Sequence, residues 1–330
     1  MTVVERVDAF QRRHRWAGYP IAVVYKYIDD QGGNLAALIA YYAFLSLFPL
    51  LLLLTTILGF VLAGHEHLQQ QILDSALGQF PVVGDQLGQP KQIGGGAVGL
   101  TVGILGSLYG GLGVGQAVQN AMNTAWAVPR NSRPDPLRAR GRSLLLLLTA
   151  GVTVLGTTVL STLAGSNAGS FGPLLKVLVL VASIGVNAAV FLFAFRIATA
   201  RDLSFRDVAP GALAAAIVWQ LLQSFGVVYV SHVVNGSSAT NGVFAVVLGL
   251  LAFLYLSATA AVLCAEINVV RVRRLHPRSL LTPFTDDVVL TGGDRRTYTG
   301  LATAQRSKGF QDIDVAFDPP EDSADEKRQG

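Results

Sequence analysis

Uncharged polar side chains recur in the middle of long apolar segments, where hydrogen-bonding groups are unfavourable and therefore informative. Ser46, Asn187, Gln220, Gln223 and Tyr255 come near the midpoints of their segments when depth is counted at about 1.5 Å per helical residue. A polar set at one depth is typical of a substrate site near the midplane of a membrane protein. The alternative is that each side chain hydrogen-bonds to a neighbouring helix, at about 0.6–2 kcal/mol a bond. These five are the predicted residues of a substrate site or polar cavity, with both interpretations open.

A stripe of four amides follows a glycine-rich part of one apolar segment. Gln116, Gln119, Asn120 and Asn123 are spaced i, i+3, i+4 and i+7, which places them on one face of a helix. Such a face either lines a polar crevice on the cytoplasmic side or hydrogen-bonds to a neighbouring helix.

Two charged residues lie near the inner ends of two other apolar segments. Arg196 and Glu266 come at similar depths, and an ion pair between them would lower the cost of holding each charge there. We therefore predict that they pair, in the same crevice as the amides. The alternative is that each side chain extends to water from the end of its helix.

Residues for hydrolytic or metal chemistry are sparse. The chain has five histidines, of which only His65 and His67 are close in sequence, and at i and i+2 of a helix they would point in different directions. Metal-dependent phosphodiester cleavage needs clustered carboxylates or histidines. No zinc, phosphate-loop or nucleophile-elbow motif occurs. The sequence therefore predicts no enzyme activity, no metal site and no cofactor.

Six long apolar segments must position these side chains. The chain is 51% hydrophobic and 14% charged, whereas soluble domains carry about 25% charged residues. Each segment reaches the roughly 20 residues that a helix needs to cross the hydrocarbon core, where unpaired backbone groups exclude other conformations. We predict an all-α membrane bundle with six transmembrane helices at residues 35–63, 96–123, 143–164, 174–198, 209–234 and 242–268.

Lysine and arginine concentrate on alternate sides of these segments. They concentrate in the N-terminal stretch, after the second and fourth segments and at the start of the tail, whereas the other three connections hold only Lys91. Basic connections stay in the cytoplasm, so the pattern predicts a multi-pass protein of the plasma (inner) membrane with both termini inside. Basic residues beside helix ends meet anionic lipid head groups, and no aromatic residues alternate with them as single-strand binding requires. We expect the lipid bilayer as partner and no nucleic acid, and the oligomeric state and any protein partner stay unknown.

The two ends of the chain are predicted to be cytoplasmic segments outside the bundle. In residues 1–34, Val3, Val7 and Phe10 recur at helical spacing, which is typical of an interfacial helix on the membrane surface. Residues 269–330 form a polar tail. From about Leu281 this tail lacks the apolar area needed to fold, and we expect it to be largely disordered.

Several distinctive motifs occur in order along the chain. The first apolar segment begins LAALIAYYAFLSLFP, which contains Tyr41, Tyr42 and Pro49. NAMNTAWAVP, then PGA, then AEIN ending at Asn268 follow. Over residues 30–272 this series resembles the YihY/BrkB family of bacterial inner-membrane proteins. It implies a six-helix integral membrane protein without an agreed molecular activity, historically mislabelled ribonuclease BN and often supposed to transport. It marks Tyr41, Tyr42, Pro49 and Asn268 as residues of interest without assigning them a role.

Two functions fit these features. The midplane polar set, the amide stripe and Pro49, which should bend its helix, favour a transporter or flippase. Because few charges lie inside the membrane, its substrate is expected to be neutral, zwitterionic or lipid-like. The alternative is a non-transporting scaffold of an envelope complex. In a scaffold, the amides and the glycines that recur from Gly99 to Gly113 would make helix–helix or partner contacts. Whichever function applies, we expect the glycines to pack within one bundle rather than between two chains.

Overall fold

The described part of the chain is built from α-helices. The computed structural model describes residues 3–61, 96–165, 172–233, 239–285 and 288–317. In chain order the helices are α1 (Val3–Arg13), α2 (Arg15–Asp29), α3 (Gly32–Val61), α4 (Gly96–Ala125), α5 (Pro136–Gly165), α6 (Gly172–Ala198), α7 (Phe205–Val233), α8 (Ala239–Arg273) and α9 (Gly292–Ala304). No strand occurs in these described ranges, and the predicted all-α class is confirmed.

Helices α3 to α8 cover the six apolar segments. Several are longer than the apolar run, because the arginine-bearing turns continue the helix: α5 begins at Pro136 and α8 continues to Arg273. By length and hydropathy, three described stretches can cross a membrane, namely Val177–Ala198, Phe205–Ser224 and Val247–Arg273. The count of six crossings stays a prediction. Residues 62, 63 and 234 of the predicted spans, and the His65–His67 pair, lie outside the described ranges.

The long helices alternate in direction and meet in a hydrophobic cluster at one end of the bundle, which we call the terminal face. The cluster joins α2 and the start of α3 to the ends of α4, α6 and α8 and the start of α7. Its members include Ala36, Met122, Phe195, Val208 and Val262. The connections after α4 and α6 and the segment after α8, which carry the basic residues, therefore lie at the terminal face.

The glycines of α4 bring its backbone close to α3. A Cβ atom at Gly106 would lie 2.8 Å from Pro49, and one at Gly110 would lie 2.6 Å from the Cβ atom of Ser46. Small residues permit this approach between membrane helices. These glycines therefore pack within one chain, as expected from the sequence, and α3 continues as one helix through Pro49.

Gly110→Ala is expected to destabilise the bundle, because the new methyl group would also lie 2.7 Å from the Cα atom and 2.9 Å from the backbone nitrogen of Ser46. Overpacking of this kind typically costs about 1–3 kcal/mol. Heating the purified protein in detergent, followed by size-exclusion chromatography, measures the loss. Gly185→Ala in α6 is the matched control, because no atom of the described residues lies within 4 Å of a Cβ atom there. Equal thermal stability of the two variants would contradict the close contact between α3 and α4.

The predicted interfacial helix corresponds to α1. Val7 and Phe10 are about half exposed, at 48% and 47%, whereas Gln11 on the other side is buried. Val7 and Phe10 are thus only partly covered by the rest of the described chain, and their lying on the membrane surface stays a prediction.

Helix α2 was not predicted from the sequence. It contains Pro20 and buries Ala22, Val23 and Lys26. It packs along the end of α8, where the Tyr19 hydroxyl donates a hydrogen bond of 2.5 Å to a main-chain carbonyl oxygen. This helix covers the face of α8 that carries Glu266.

The prediction of a largely disordered tail is wrong for residues 292–304, which form α9. The Thr291 hydroxyl accepts a hydrogen bond from the Asp294 backbone N–H, and the Asp294 carboxylate accepts one from the Thr291 backbone N–H, which together cap the helix. Asp294 and Thr297 are buried beneath it. The prediction considered only apolar area, whereas this segment is held by polar and charged contacts.

Candidate functional site

Three charged side chains are buried together at the terminal face. Lys26 and Asp30 come from the end of α2, and Glu266 comes from α8; their exposures are 1%, 5% and 0%. The Lys26 ammonium forms an ion pair with Asp30 and lies 3.9 Å from Glu266 Oε2. We call these three residues the buried charge cluster.

The carboxyl groups of this cluster have too few hydrogen-bond donors. Among the described residues, neither oxygen of Glu266 has a donor, nor does Asp30 Oδ1. The two carboxyl groups lie within hydrogen-bonding reach of each other. The next cation, Arg273, donates its hydrogen bond of 3.4 Å to the carbonyl oxygen of Trp126. A buried carboxylate with unfilled hydrogen-bonding oxygens is strongly unfavourable, so packing alone does not account for this arrangement.

The predicted pair between Arg196 and Glu266 is wrong. Arg196 Nε donates a hydrogen bond of 2.8 Å to the carbonyl oxygen of Leu203, and its guanidinium lies 4.0 Å above the ring of Phe205. Since α6 ends two residues after Arg196, the side chain turns onto the loop that leads to α7. Glu266 instead faces Lys26, which lies on α2, a helix that was not predicted from the sequence.

Two amides of the predicted stripe tie α4 to neighbouring elements. Gln119 Nε2 donates a hydrogen bond of 2.9 Å to the hydroxyl of Ser143 in α5. Asn123 Oδ1 accepts one of 2.7 Å from the backbone N–H of Ala200, after the end of α6. Both amides are buried, and these bonds satisfy the Gln119 amino group and the Asn123 carbonyl oxygen, whereas Gln119 Oε1 has no partner among the described residues.

The other two amides lie in different surroundings. Asn120 Oδ1 accepts a hydrogen bond of 2.9 Å from Arg133, in the loop after α4. Gln116 is exposed. The four amides therefore share a helix face without sharing one environment. Gln119 makes the bond to a neighbouring helix that was the alternative to a crevice, whereas Asn120 and Asn123 bond to loop residues.

Ser46 and Asn187 are buried and hydrogen-bond within their own helices. Ser46 Oγ donates a hydrogen bond of 3.0 Å to the carbonyl oxygen of Ala43, and Asn187 Nδ2 donates one of 3.0 Å to the carbonyl oxygen of Ser183. Ser46 lies at the contact with Gly110.

The remaining predicted cavity residues are less buried. Gln220 and Gln223 are half-buried on α7, and Tyr255 on α8 is 39% exposed. The Tyr255 hydroxyl lies beside the start of α3, 3.4 Å from the Cβ position of Gly33. The five predicted residues are thus spread over α3, α6, α7 and α8, and their forming one site stays a prediction.

Two other hydroxyls in the bundle interior are buried without a partner among the described residues. They are Ser107 Oγ on α4 and Thr259 Oγ1 on α8. Serine and threonine in helices commonly donate to the carbonyl of the preceding turn, as Ser257 does to Phe253 at 2.7 Å. Ser107 and Thr259 do not, so each can donate to another group.

A second buried charge, Arg278, joins the two ends of the chain. It is fully buried in the segment between α8 and α9. Its Nε atom lies 2.5 Å from Asp294 Oδ1 of α9, and its Nη1 atom lies 2.9 Å from Asp29 Oδ2 of α2. We call these three residues the Arg278 clasp.

Hydrogen bonds from α1 and α2 strengthen this connection. Gln11 Nε2 donates a hydrogen bond of 2.5 Å to the carbonyl oxygen of Arg278. Asp8 Oδ1 accepts a hydrogen bond of 3.1 Å from the backbone N–H of Leu280. The carbonyl oxygen of Leu280 accepts one of 2.7 Å from the Tyr25 hydroxyl. The N-terminal helices and α9 therefore form one unit on the terminal face.

The residues marked by the family resemblance are mainly packing residues. Tyr42 packs against Gly113, where a Cβ atom would clash with its ring. Asn268 Oδ1 accepts a hydrogen bond of 2.7 Å from the backbone N–H of Gly211, which fastens the start of α7 to α8. Tyr41 is 57% exposed and points away from the bundle.

Sequence reasoning missed Lys26, Asp30 and Arg278. Lys26 and Asp30 are four residues apart, the spacing of a helical ion pair, and this was a usable signal beside the apolar Ala22 and Val23. Arg278 had no such signal, because one of its partners is 249 positions away in the chain.

Comparisons with known proteins agree with the resemblance seen in the sequence. Residues 23–286 match the model of a family described as virulence factor BrkB, a range that includes the buried charge cluster and Arg278. A Bacillus subtilis (strain 168) protein named as the ribonuclease-like protein YfkH is 28% identical over 271 residues, which cover 78% of this chain and 94% of that protein. No solved structure matches the chain. With helices apolar enough to cross a bilayer, the chain belongs to the virulence factor BrkB family of membrane proteins.

Proposed function

We propose that the chain moves a neutral, zwitterionic or lipid-like substrate across the membrane. The observation that carries this proposal is the pair of buried hydroxyls, Ser107 Oγ and Thr259 Oγ1, that have no partner among the described residues. A buried polar group without a hydrogen bond costs about 1–3 kcal/mol. A bound polar molecule or a chain of waters in the interior would remove that cost.

The class of substrate follows from the charges of the bundle. The predicted cavity residues are uncharged, and the buried charges lie at the terminal face, where Lys26 pairs with Asp30 and Arg278 with two carboxylates. A substrate with a strong net charge would lack a partner among the uncharged side chains. Hydroxyl and amide groups suit a neutral or zwitterionic head group.

The same proposal includes an orientation. The arginines beside the helix ends lie on the terminal face, and basic connections stay in the cytoplasm. The Arg278 clasp holds α2 and α9 on that face as well. Both support a plasma-membrane protein with its two ends in the cytoplasm and its arginines near anionic lipid head groups.

Water access to the interior tests the proposal. In a Cys264→Ala background, which removes the single cysteine of the chain, cysteines replace Ser107, Asn187 or Gln223. A polar thiol reagent is applied to the protein in sealed vesicles. We expect clear labelling at these positions, because a transporter needs an aqueous path to its site.

Two further cysteines give this experiment its controls. Leu148→Cys should stay unlabelled, because this side chain is 64% exposed on α5 and would face lipid. Ser307→Cys, beyond α9, should react in open membranes and be protected in intact cells if the terminal face is cytoplasmic. Protection of all three interior positions, with Ser307→Cys labelled in open membranes, would contradict transport.

The scaffold of an envelope complex is the second candidate. It is favoured by the hydrogen bonds of Gln119, Asn120 and Asn123, which tie α4 to α5 and to the loops after α4 and α6. A single protein crosslinked to the chain in stoichiometric amounts, together with protected interior cysteines, would favour this candidate.

We also propose that the chain is not a ribonuclease, although one relative is named as ribonuclease-like. Its histidines are few and scattered in sequence, and metal-dependent cleavage requires clustered ligands.

A further inference from the structure

The buried charge cluster has one more negative charge than positive charge when all its members are ionised. It contains two carboxylates, Asp30 and Glu266, and one ammonium, Lys26, all nearly inaccessible to water. Moving an uncompensated charge out of water is so unfavourable that the group neutralises instead. When two carboxyl groups share one site, the binding of a proton to one of them is strongly favoured.

The two acids lie beside one ammonium and together have too few hydrogen-bond donors among the described residues. The Lys26 ammonium pairs directly with Asp30, while Glu266 is further away at 3.9 Å. Among the described residues, both oxygens of Glu266 and Asp30 Oδ1 lack a hydrogen-bond donor, although the two carboxyl groups are within hydrogen-bonding reach of each other. One proton would turn this contact between two acceptors into a hydrogen bond. Burial also raises the pKa of the Asp30 carboxyl, against the opposing attraction of Lys26.

The charged groups around the cluster do not supply the missing positive charge. Asp29 on α2 adds a negative charge but is paired with Arg278. Arg273 on α8 attracts both carboxylates from beyond ion-pair distance, and it is itself opposed by Arg201 of the loop between α6 and α7. A metal ion is a poor alternative, since the described residues contain no group of three or more His, Cys, Asp or Glu side chains placed to hold one.

We propose that Lys26, Asp30 and Glu266 form a proton-binding site in which the two carboxyl groups hold one exchangeable proton. The proton is taken from water at the terminal face and is returned there or passed on when the cluster opens. As a coupling site for movement of a substrate it rests on the proposed function; as a proton-binding site it does not.

Infrared difference spectroscopy tests the site without any substrate. The full-length protein in a lipid bilayer is titrated from acidic to alkaline pH, and the stretching band of protonated carboxyl groups is followed. We expect such a band at neutral pH that disappears in one step as the pH rises. In the unmutated chain it should shift when the side-chain carboxyl carbons of glutamate and aspartate are isotope-labelled.

Neutral variants assign the band to the cluster. Glu266→Gln and Asp30→Asn should each remove it, because the remaining carboxylate is then balanced by Lys26. Asp135→Asn is the matched control and should leave it unchanged, since Asp135 is exposed and pairs with the exposed Arg138. If a cluster variant does not fold, the isotope shift in the unmutated chain still shows that the band belongs to a glutamate or aspartate carboxyl group, and the other cluster variant assigns it.

Three results would overturn the site: no protonated carboxyl band at neutral pH, a band unaffected by both cluster variants, or loss of the band on replacing choline with sodium at constant pH. The last would indicate a sodium site. Failure of the proposed function is separate. A titrating band together with protected interior cysteines would support the proton site and contradict transport. Labelled interior cysteines without the band would support transport and contradict the proton site.

Discussion

Arg278→Ala is expected to detach α9 from the terminal face and to destabilise the protein by about 3–5 kcal/mol, because it leaves uncompensated carboxylates in a buried position. Asp294 is buried and bonds Arg278 at 2.5 Å, so the substitution leaves its carboxylate without this partner. Asp29 loses its partner at 2.9 Å at the same time. Heating in detergent measures the stability, and limited proteolysis measures the release of α9.

Arg138→Ala is the matched control for this prediction. Arg138 also pairs with an aspartate, Asp135 at 3.3 Å, but the two side chains are 83% and 53% exposed. Exposed pairs contribute less than about 1 kcal/mol, so this variant should keep α9 protected from protease. A similar small loss in both variants would mean that the Arg278 clasp does not hold the tail.

Lys26→Met is expected to destabilise the protein by about 3–5 kcal/mol, because it removes the ammonium that balances a buried carboxylate. The acids left behind must take up protons to remain buried, so the loss should deepen as the pH rises. A buried acid whose folded-state pKa is raised, as that of Asp30 is by burial, contributes stability at low pH that is lost as the pH rises through that value. Thermal denaturation across pH measures both effects.

A second substitution should recover most of this loss. In Lys26→Met with Asp30→Asn, one protonated Glu266 remains and the cluster is neutral again. Lys308→Met, at an exposed position, is the control and should change little. If the double variant is as unstable as the sum of the two single variants, the buried charges are not coupled.

The two clusters meet at the end of α2. Asp29 belongs to the Arg278 clasp and Asp30 to the buried charge cluster. The peptide between them thus links α9 to Glu266 of α8. A change of charge in one cluster therefore occurs one residue away from the other cluster. On this basis, binding of a proton by the buried charge cluster can affect the packing of the two chain ends on the terminal face.

Some predictions followed from the sequence because they depend on local chemistry. Runs of apolar residues define the long helices α3 to α8, since backbone groups in hydrocarbon must be paired within a helix. The glycines of α4 likewise showed a close helix contact from their spacing alone. The tail prediction failed for the opposite reason: α9 has little apolar area, and it is held by Asp294 against Arg278.

The sequence by itself thus determined the all-helical class, the positions of the long apolar helices and the family. Only the tertiary structure decided which charges meet. Glu266 pairs with Lys26 rather than Arg196 because α2 covers that face of α8, and Arg278 is buried because residues from both chain ends surround it. Hydropathy and helical spacing act within one segment, whereas the partner of a buried charge is chosen by the packing of segments far apart in the chain.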